Sequence, residues 1–258
     1  MHNPLSIVIM LYYNTILLKI MEYGMLDEKS NEEMLGHETG GSSEINRGNQ
    51  GIKFSQTLRG LDQIKSPYTD LVIWHRTLPD YFQNWLECLP ASNLPQIRIL
   101  VAPNAVSSAL DQMLDTCGLP ISAMRDFLVS DISELVHAFS IITESELVDV
   151  RLEHIDHDSC WRFHTDVVDL RLLTTYLGPG TEWVSPIHAE SAIIDQKKYS
   201  GPLEQLKLAE VAVFKGKKAS KTNGIVHRSP PIEDSGVSRL LLCLNKSSEV
   251  SPPAWKPD

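Results

Sequence analysis

The chain has 258 residues, a net charge of −10 and a pI near 5.4. Such an acidic balance disfavours nucleic-acid binding through a broad basic surface, and 42% hydrophobic content argues against disorder along the whole chain. Cys88, Cys117, Cys160 and Cys243 contain no CxxC pair and are widely spread, which points to reduced thiols and a cytoplasmic location.

Residues 5–20 are mostly apolar but are interrupted by Asn14 and Lys19. A helix of that length reaches about 24 Å, short of a hydrocarbon core of roughly 30 Å. Nothing basic precedes the run, as a signal peptide requires, so no stable membrane insertion is expected. Residues 26–50 are rich in Glu, Gly, Ser and Asn with no apolar period. Residues 1–50 therefore read as a disordered extension or a start codon assigned too early, with Met21 or Met25 as the true start.

Residues 51–145 read as a mixed α/β part. Strands are expected over 70–75 and 96–101. Pro79 suits the first turn of a helix ending near Leu89, whose stripe is Tyr81, Phe82, Trp85, Leu86 and Leu89. Asn104 is the expected N-cap of a helix over 105–116, stopped by Gly118 and Pro120. Ser122 opens another, over 123–142.

Residues 146–246 change character. Strands are expected over 147–155, 161–166, 170–177, 181–184, 211–214 and 239–244, with Gly178-Pro179-Gly180 as a turn. Short strands at close spacing indicate a sandwich or barrel, and the double-stranded β-helix, or jelly roll, is one such solution. The expected class is α+β: a jelly roll in the C-terminal half with the α/β part packed on it. Residues 247–258 read as a loose Pro-rich tail.

The densest group of potential metal ligands lies at His164 and Asp166. In a strand, residues two apart share a face, so an imidazole and a carboxylate would leave one surface together. His227 supplies a third ligand. Two His and one carboxylate make the facial triad of non-haem Fe(II) oxygenases. Arg239 follows at a strand entrance, where its planar fork suits a carboxylate. Arg171 and Tyr176 are further candidates for a cosubstrate, but their spacing puts them on opposite faces of a regular strand. A zinc site using His154, His157 and Cys160 is the competing arrangement. No nucleophile motif or phosphate loop occurs, so no catalytic group is expected beyond the metal ligands. The basic run over 215–221 is either a solvated loop or a loop at the site mouth that meets an anionic substrate.

The stretches Cys160-Trp-Arg-Phe-His164-Thr-Asp166, Leu170-Arg-Leu-Leu-Thr-Thr-Tyr-Leu-Gly-Pro-Gly-Thr-Glu-Trp183, Val213-Phe-Lys-Gly216 and His227-Arg-Ser-Pro-Pro231 resemble the uncharacterised bacterial family DUF1826 over about residues 61–245. More broadly, the order His164, Asp166, His227, Arg239 is similar to the Fe(II)/2-oxoglutarate dioxygenase superfamily. That resemblance implies Fe(II) on the triad, with Arg239 holding the far carboxylate of 2-oxoglutarate. The implied activity is a 2-oxoglutarate-dependent oxygenase of the hydroxylase type, acting on a small molecule or a protein side chain. Two readings of other classes stand beside it: a zinc-binding or metal-handling protein without turnover, and a cupin-like binding module without metal.

Overall fold

The computed structural model describes residues 51–257, and the expectations for residues 1–50 lie outside the described residues. Ten strands are described: β1 Ile52–Ser55, β2 Leu71–Trp74, β3 Ile97–Val101, β4 Val148–Ile155, β5 Leu170–Leu177, β6 Glu182–Trp183, β7 Glu204–Gln205, β8 Val211–Lys215, β9 His227–Arg228 and β10 Arg239–Lys246. The helices are α1 Asp80–Glu87, α2 Val106–Thr116, α3 Ala123–Thr143 and α4 Ala189–Asp195.

Seven strands form one sheet in the order β1-β2-β8-β5-β10-β4-β3. Within it only β1 and β2 run parallel; the other neighbours are antiparallel. A small sheet, β7-β6-β9, forms the second. The large sheet draws strands from both halves of the chain: β2 pairs with β8, and β3 with β4.

Alternation in the strands sorts side chains to two faces. On one face Val150, Leu152, Leu172, Tyr176, Val213 and Leu242 meet α1, α2 and α3 through Phe82, Leu86, Leu110, Leu114, Ile132 and Phe139. On the other, Leu173, Phe214, Leu241 and Cys243 pack on Trp183 of the small sheet and on Leu206 and Ile225. The strands are apolar on both sides because both sides are covered.

Local chemistry fixes the helix ends. Ser122 accepts the Arg125 N–H as N-cap of α3, and Glu144 closes it in the left-handed region at φ 52°. The expected Asn104 cap is not used: Asn104 lies in a 3-10 turn, Pro103–Ala105, and α2 starts without a side-chain cap.

Two expectations fail. Residues 161–166 form no strand; His164 makes a single bridge to His227. The Pro-rich tail is not loose. Trp255 donates its backbone N–H to Leu100 and its indole N–H to Gln112, and Ala254 bridges to Leu100 at the edge of β3. Among the described residues no helix is long and apolar enough to cross a membrane.

Candidate metal centre

His227 opens β9, paired with Trp183 of β6. His164 extends that pairing outward, its N–H and C=O bonded to the C=O and N–H of His227 at 3.0 and 2.9 Å. Phe163, one residue before, is held by a side chain rather than a strand. Gln196 accepts its N–H at 2.9 Å and donates to its C=O at 3.0 Å. Asp166 follows, and the turn after β8 wraps it: Lys217 N–H donates to the Asp166 C=O and Gly216 N–H to that of Asp169. A Cβ on Gly216 would lie 2.1 Å from the Val168 carbonyl oxygen, so this approach needs glycine.

His164, Asp166 and His227 each present one ligand atom, and those atoms lie within 4.8 Å of one another. His227 Nε2 is 3.4 Å from Asp166 Oδ2, and His164 Nε2 is 3.8 Å from Oδ1. The other ring nitrogens decide the tautomers. His164 Nδ1 faces the Arg162 carbonyl at 2.8 Å, and His227 Nδ1 faces the Ile225 carbonyl at 3.0 Å. A carbonyl only accepts, so each Nδ1 carries the proton. In the neutral ring each Nε2 then presents a lone pair. Three acceptors thus converge, and Asp166 Oδ2 is buried with no hydrogen-bond partner.

Arg171 on β5 donates to Asp166 Oδ1 and, through Nε, to Asn245 at 2.9 Å. Burial pushes the Asp166 carboxyl up, but His227 and His164 in their protonated forms, together with Arg171, outweigh it and hold it below the ordinary range. His164 is lowered, first by burial and then by His227, which favours the neutral imidazole a metal requires.

Arg239, fully buried at the start of β10, lies on the same sheet face as Arg171 and Leu173. Its Nε donates to the Pro179 carbonyl at 2.7 Å, and Nη2 stands 3.5 Å from the hydroxyls of Thr175 and Thr181. Nη1 has no hydrogen-bond partner. Burial pushes its pKa down to about 10 against opposing pulls from Glu182 and Cys160. Gly178, at φ 77°, makes this strand entrance possible: a Cβ there would meet the Ser238 carbonyl oxygen at 2.2 Å.

The remaining candidates do not join this group. Tyr176 points to the helix face, where its hydroxyl donates to Asp131 at 2.6 Å. Arg76 holds the same carboxylate with two hydrogen bonds. His154 is engaged with Ser238 at 3.0 Å, His157 is exposed beside Asp156, and Cys160 is exposed at φ 52°. Among the described residues these three form no ligand cluster: His154 lies on β4 and is engaged with Ser238, while His157 and Cys160 are exposed in the irregular stretch after it. Asn245 and Gln196 are contributors that the sequence does not single out. Asn245 shares its strand face with Cys243 and is open to a parity argument; Gln196 caps α4 and opens a 3-10 turn, Gln196–Lys198, and carries no signal.

The fold and site define a mixed α/β protein whose buried His-Asp-His cluster is a candidate metal centre. The chain belongs to the family described as protein of unknown function (DUF1826), which matches residues 55–245. No curated protein matches it. Among solved structures it is similar to the rice dioxygenase for auxin oxidation, at 12% identity and a TM-score of 0.43, covering 76% of this chain and 81% of that one. A Pseudomonas putida prolyl-4-hydroxylase is 11% identical with a TM-score of 0.38, over 75% and 97%. A full-length Neurospora crassa protein in complex with alpha-KG is 14% identical with a TM-score of 0.36, over 75% and 78%. All three likenesses are remote.

Proposed function

We propose that the protein is an Fe(II)- and 2-oxoglutarate-dependent oxygenase of the hydroxylase type, built on a jelly roll and working in the cytoplasm. One observation carries the reading. The Nε2 lone pairs of His164 and His227 and the unpartnered Oδ2 of Asp166 face one another with no donor between them. With Asp166 and His227 buried and His164 half-buried, three converging acceptors repel unless a cation or water sits among them. Ligands about 2.1 Å from a common ion stand roughly 3–3.5 Å apart; His227 Nε2 and Asp166 Oδ2 are 3.4 Å apart, and one ligand atom from each of the three residues lies within 4.8 Å of the others. Two His and one carboxylate occupy one side of such an ion and leave the other side open.

Arg239 supports 2-oxoglutarate in particular. A buried guanidinium whose Nη1 lacks any partner is unusual, and a carboxylate is the group its fork matches. Fe(II) with 2-oxoglutarate would supply oxidation of a substrate C–H bond by O2, with release of succinate and CO2. The chain's own residues do the rest. Arg162 and Ile225 fix the two imidazole tautomers through their carbonyls, and Arg171 keeps Asp166 ionised and aimed. Trp183, Phe214 and Leu241 exclude water from one side.

An anaerobic Fe(II) titration tests this. One Fe(II) per chain should bind, and adding 2-oxoglutarate should produce the weak visible charge-transfer band of a chelate. Iron binding without that band, and without succinate release in air, would leave a metal-handling protein. Failure to bind any divalent metal would leave a binding module.

A further inference from the structure

The open part of the site face carries a second feature. β3, β4, β10 and β5 lie side by side, and their register places Arg98 opposite Arg151, Arg151 opposite Cys243, and Cys243 opposite Leu173. Arg171 is two residues before Leu173, so all three arginines share the face that also carries the metal cluster. Beneath them lies a cavity of about 180 Å³ whose walls include Arg98, Arg151, Arg171, Lys218 and Lys246. Asp149 and Asp169 also line it, paired with Arg98 at 3.0 Å and Lys246 at 3.8 Å, while Glu153 holds Arg151 at 2.7 Å and Asp166 holds Arg171, so the excess positive charge of the cavity is that of Lys218. A cationic cavity in a chain of net charge −10 is not the average of its surface. Arg151 also keeps a buried Nε with no hydrogen-bond partner in the protein.

Two contacts join this cavity to the metal cluster. Arg171 lines its wall and donates to Asp166. Lys218 belongs to the turn whose Lys217 N–H is bonded to the Asp166 carbonyl. The geometry points to an oxyanion site: the cavity holds the phosphate or carboxylate end of a small anionic substrate and so presents the rest of it to the metal cluster. The oxyanion site stands on the cavity alone; its role as a substrate anchor rests on the oxygenase reading.

The test uses the full chain without metal, by calorimetry at low salt, with pyrophosphate, citrate and 2-oxoglutarate as separate probes. Pyrophosphate or citrate should bind one per chain, more weakly as salt rises, and whichever binds more tightly tells phosphate from carboxylate. Arg151→Gln and Lys218→Gln should each weaken that binding about tenfold, with unchanged melting temperature and unchanged Fe(II) stoichiometry. Arg239→Met should leave it intact. Absence of binding by both pyrophosphate and citrate would overturn the site, as would binding indifferent to both cavity substitutions. If 2-oxoglutarate binds and depends on Arg151 rather than Arg239, the cavity is the cosubstrate's seat and the anchor is likewise overturned. Loss of Fe(II) binding in the native chain with oxyanion binding retained would sink the oxygenase reading alone.

Discussion

Replacing Arg239 by Met separates a ligand-binding arginine from a structural one by the sign of its effect on stability. Its guanidinium is fully buried and its pKa is held at about 10. Against the higher ordinary arginine value, at about 1.4 kcal/mol per tenfold change in proton affinity, the charged side chain costs the ligand-free fold on the order of 3 kcal/mol. The penalty is full below pH 10 and is relieved only as pH rises from there towards the unfolded value, so neutral pH sees all of it. Met fills similar volume without charge, but it strands the Pro179 carbonyl, which costs about 1–3 kcal/mol. The net expectation for Arg239→Met is a melting temperature equal to wild type or higher by a few degrees, at about 2–4 °C per kcal/mol. Wild type held with Fe(II) under anaerobic conditions should gain about 2.7 kcal/mol from 2-oxoglutarate at a hundred times its Kd. The variant should gain nothing while keeping its iron. A folded Arg239→Met protein that is several degrees less stable yet still responds to 2-oxoglutarate would refute the reasoning and make Arg239 a structural residue.

Other substitutions check the remaining parts. His164→Ala, Asp166→Ala and His227→Ala should each abolish stoichiometric Fe(II) binding in a titration, while Cys160→Ser leaves it intact; the opposite pattern would favour zinc at the Cys160 turn. Arg171→Met should weaken Fe(II) about 10–100-fold without abolishing it, as loss of a group that aims a ligand does. Because burial and His227 lower the His164 pKa, proton competition at His164 should set in at lower pH than for a free imidazole, as metal affinity measured against pH would show by comparison with a small imidazole ligand. Trp255→Ala should lower stability by about 1–3 kcal/mol in urea unfolding, since it removes the indole bond to Gln112 of α2 and the packing of the ring on the core.

Alternation made much of the large sheet legible. Reading Arg171 with Leu173 and Tyr176 with Leu172 is a statement about backbone geometry over a few residues, and it holds: Leu173 packs towards the small sheet and Leu172 and Tyr176 towards the helices. Long-range contacts were not legible, because no local period encodes them. The tail reads as loose from its prolines, yet one Trp docks it. Residues 161–166 are apolar and aromatic enough to suggest a strand, but their backbone bonds go to His227, the Gln196 side chain, the His164 ring and Lys217 rather than to one continuous neighbouring strand. With so short a ladder, the segment bends instead of running straight.

That bend removes the strand geometry that would put His164 and Asp166 on one face, since the segment is not a strand. They still converge with His227. His164 is fixed by mutual backbone bonds with His227, and Asp166 by the turn after β8 and by Arg171. The two histidines thus share the β6–β9 pairing while Asp166 is held from β5 and the turn after β8, so the cluster depends on sheet register rather than on one local period. A slip of β5 against β8 or β10 would move Arg171 away from Asp166 and from Asn245 together. The buried rows Leu172, Val213 and Leu244 oppose such a slip, since a one-residue shift would carry Arg171 to the helix-covered face in place of Leu172. The core that sets the register therefore also sets the spacing of the three acceptors.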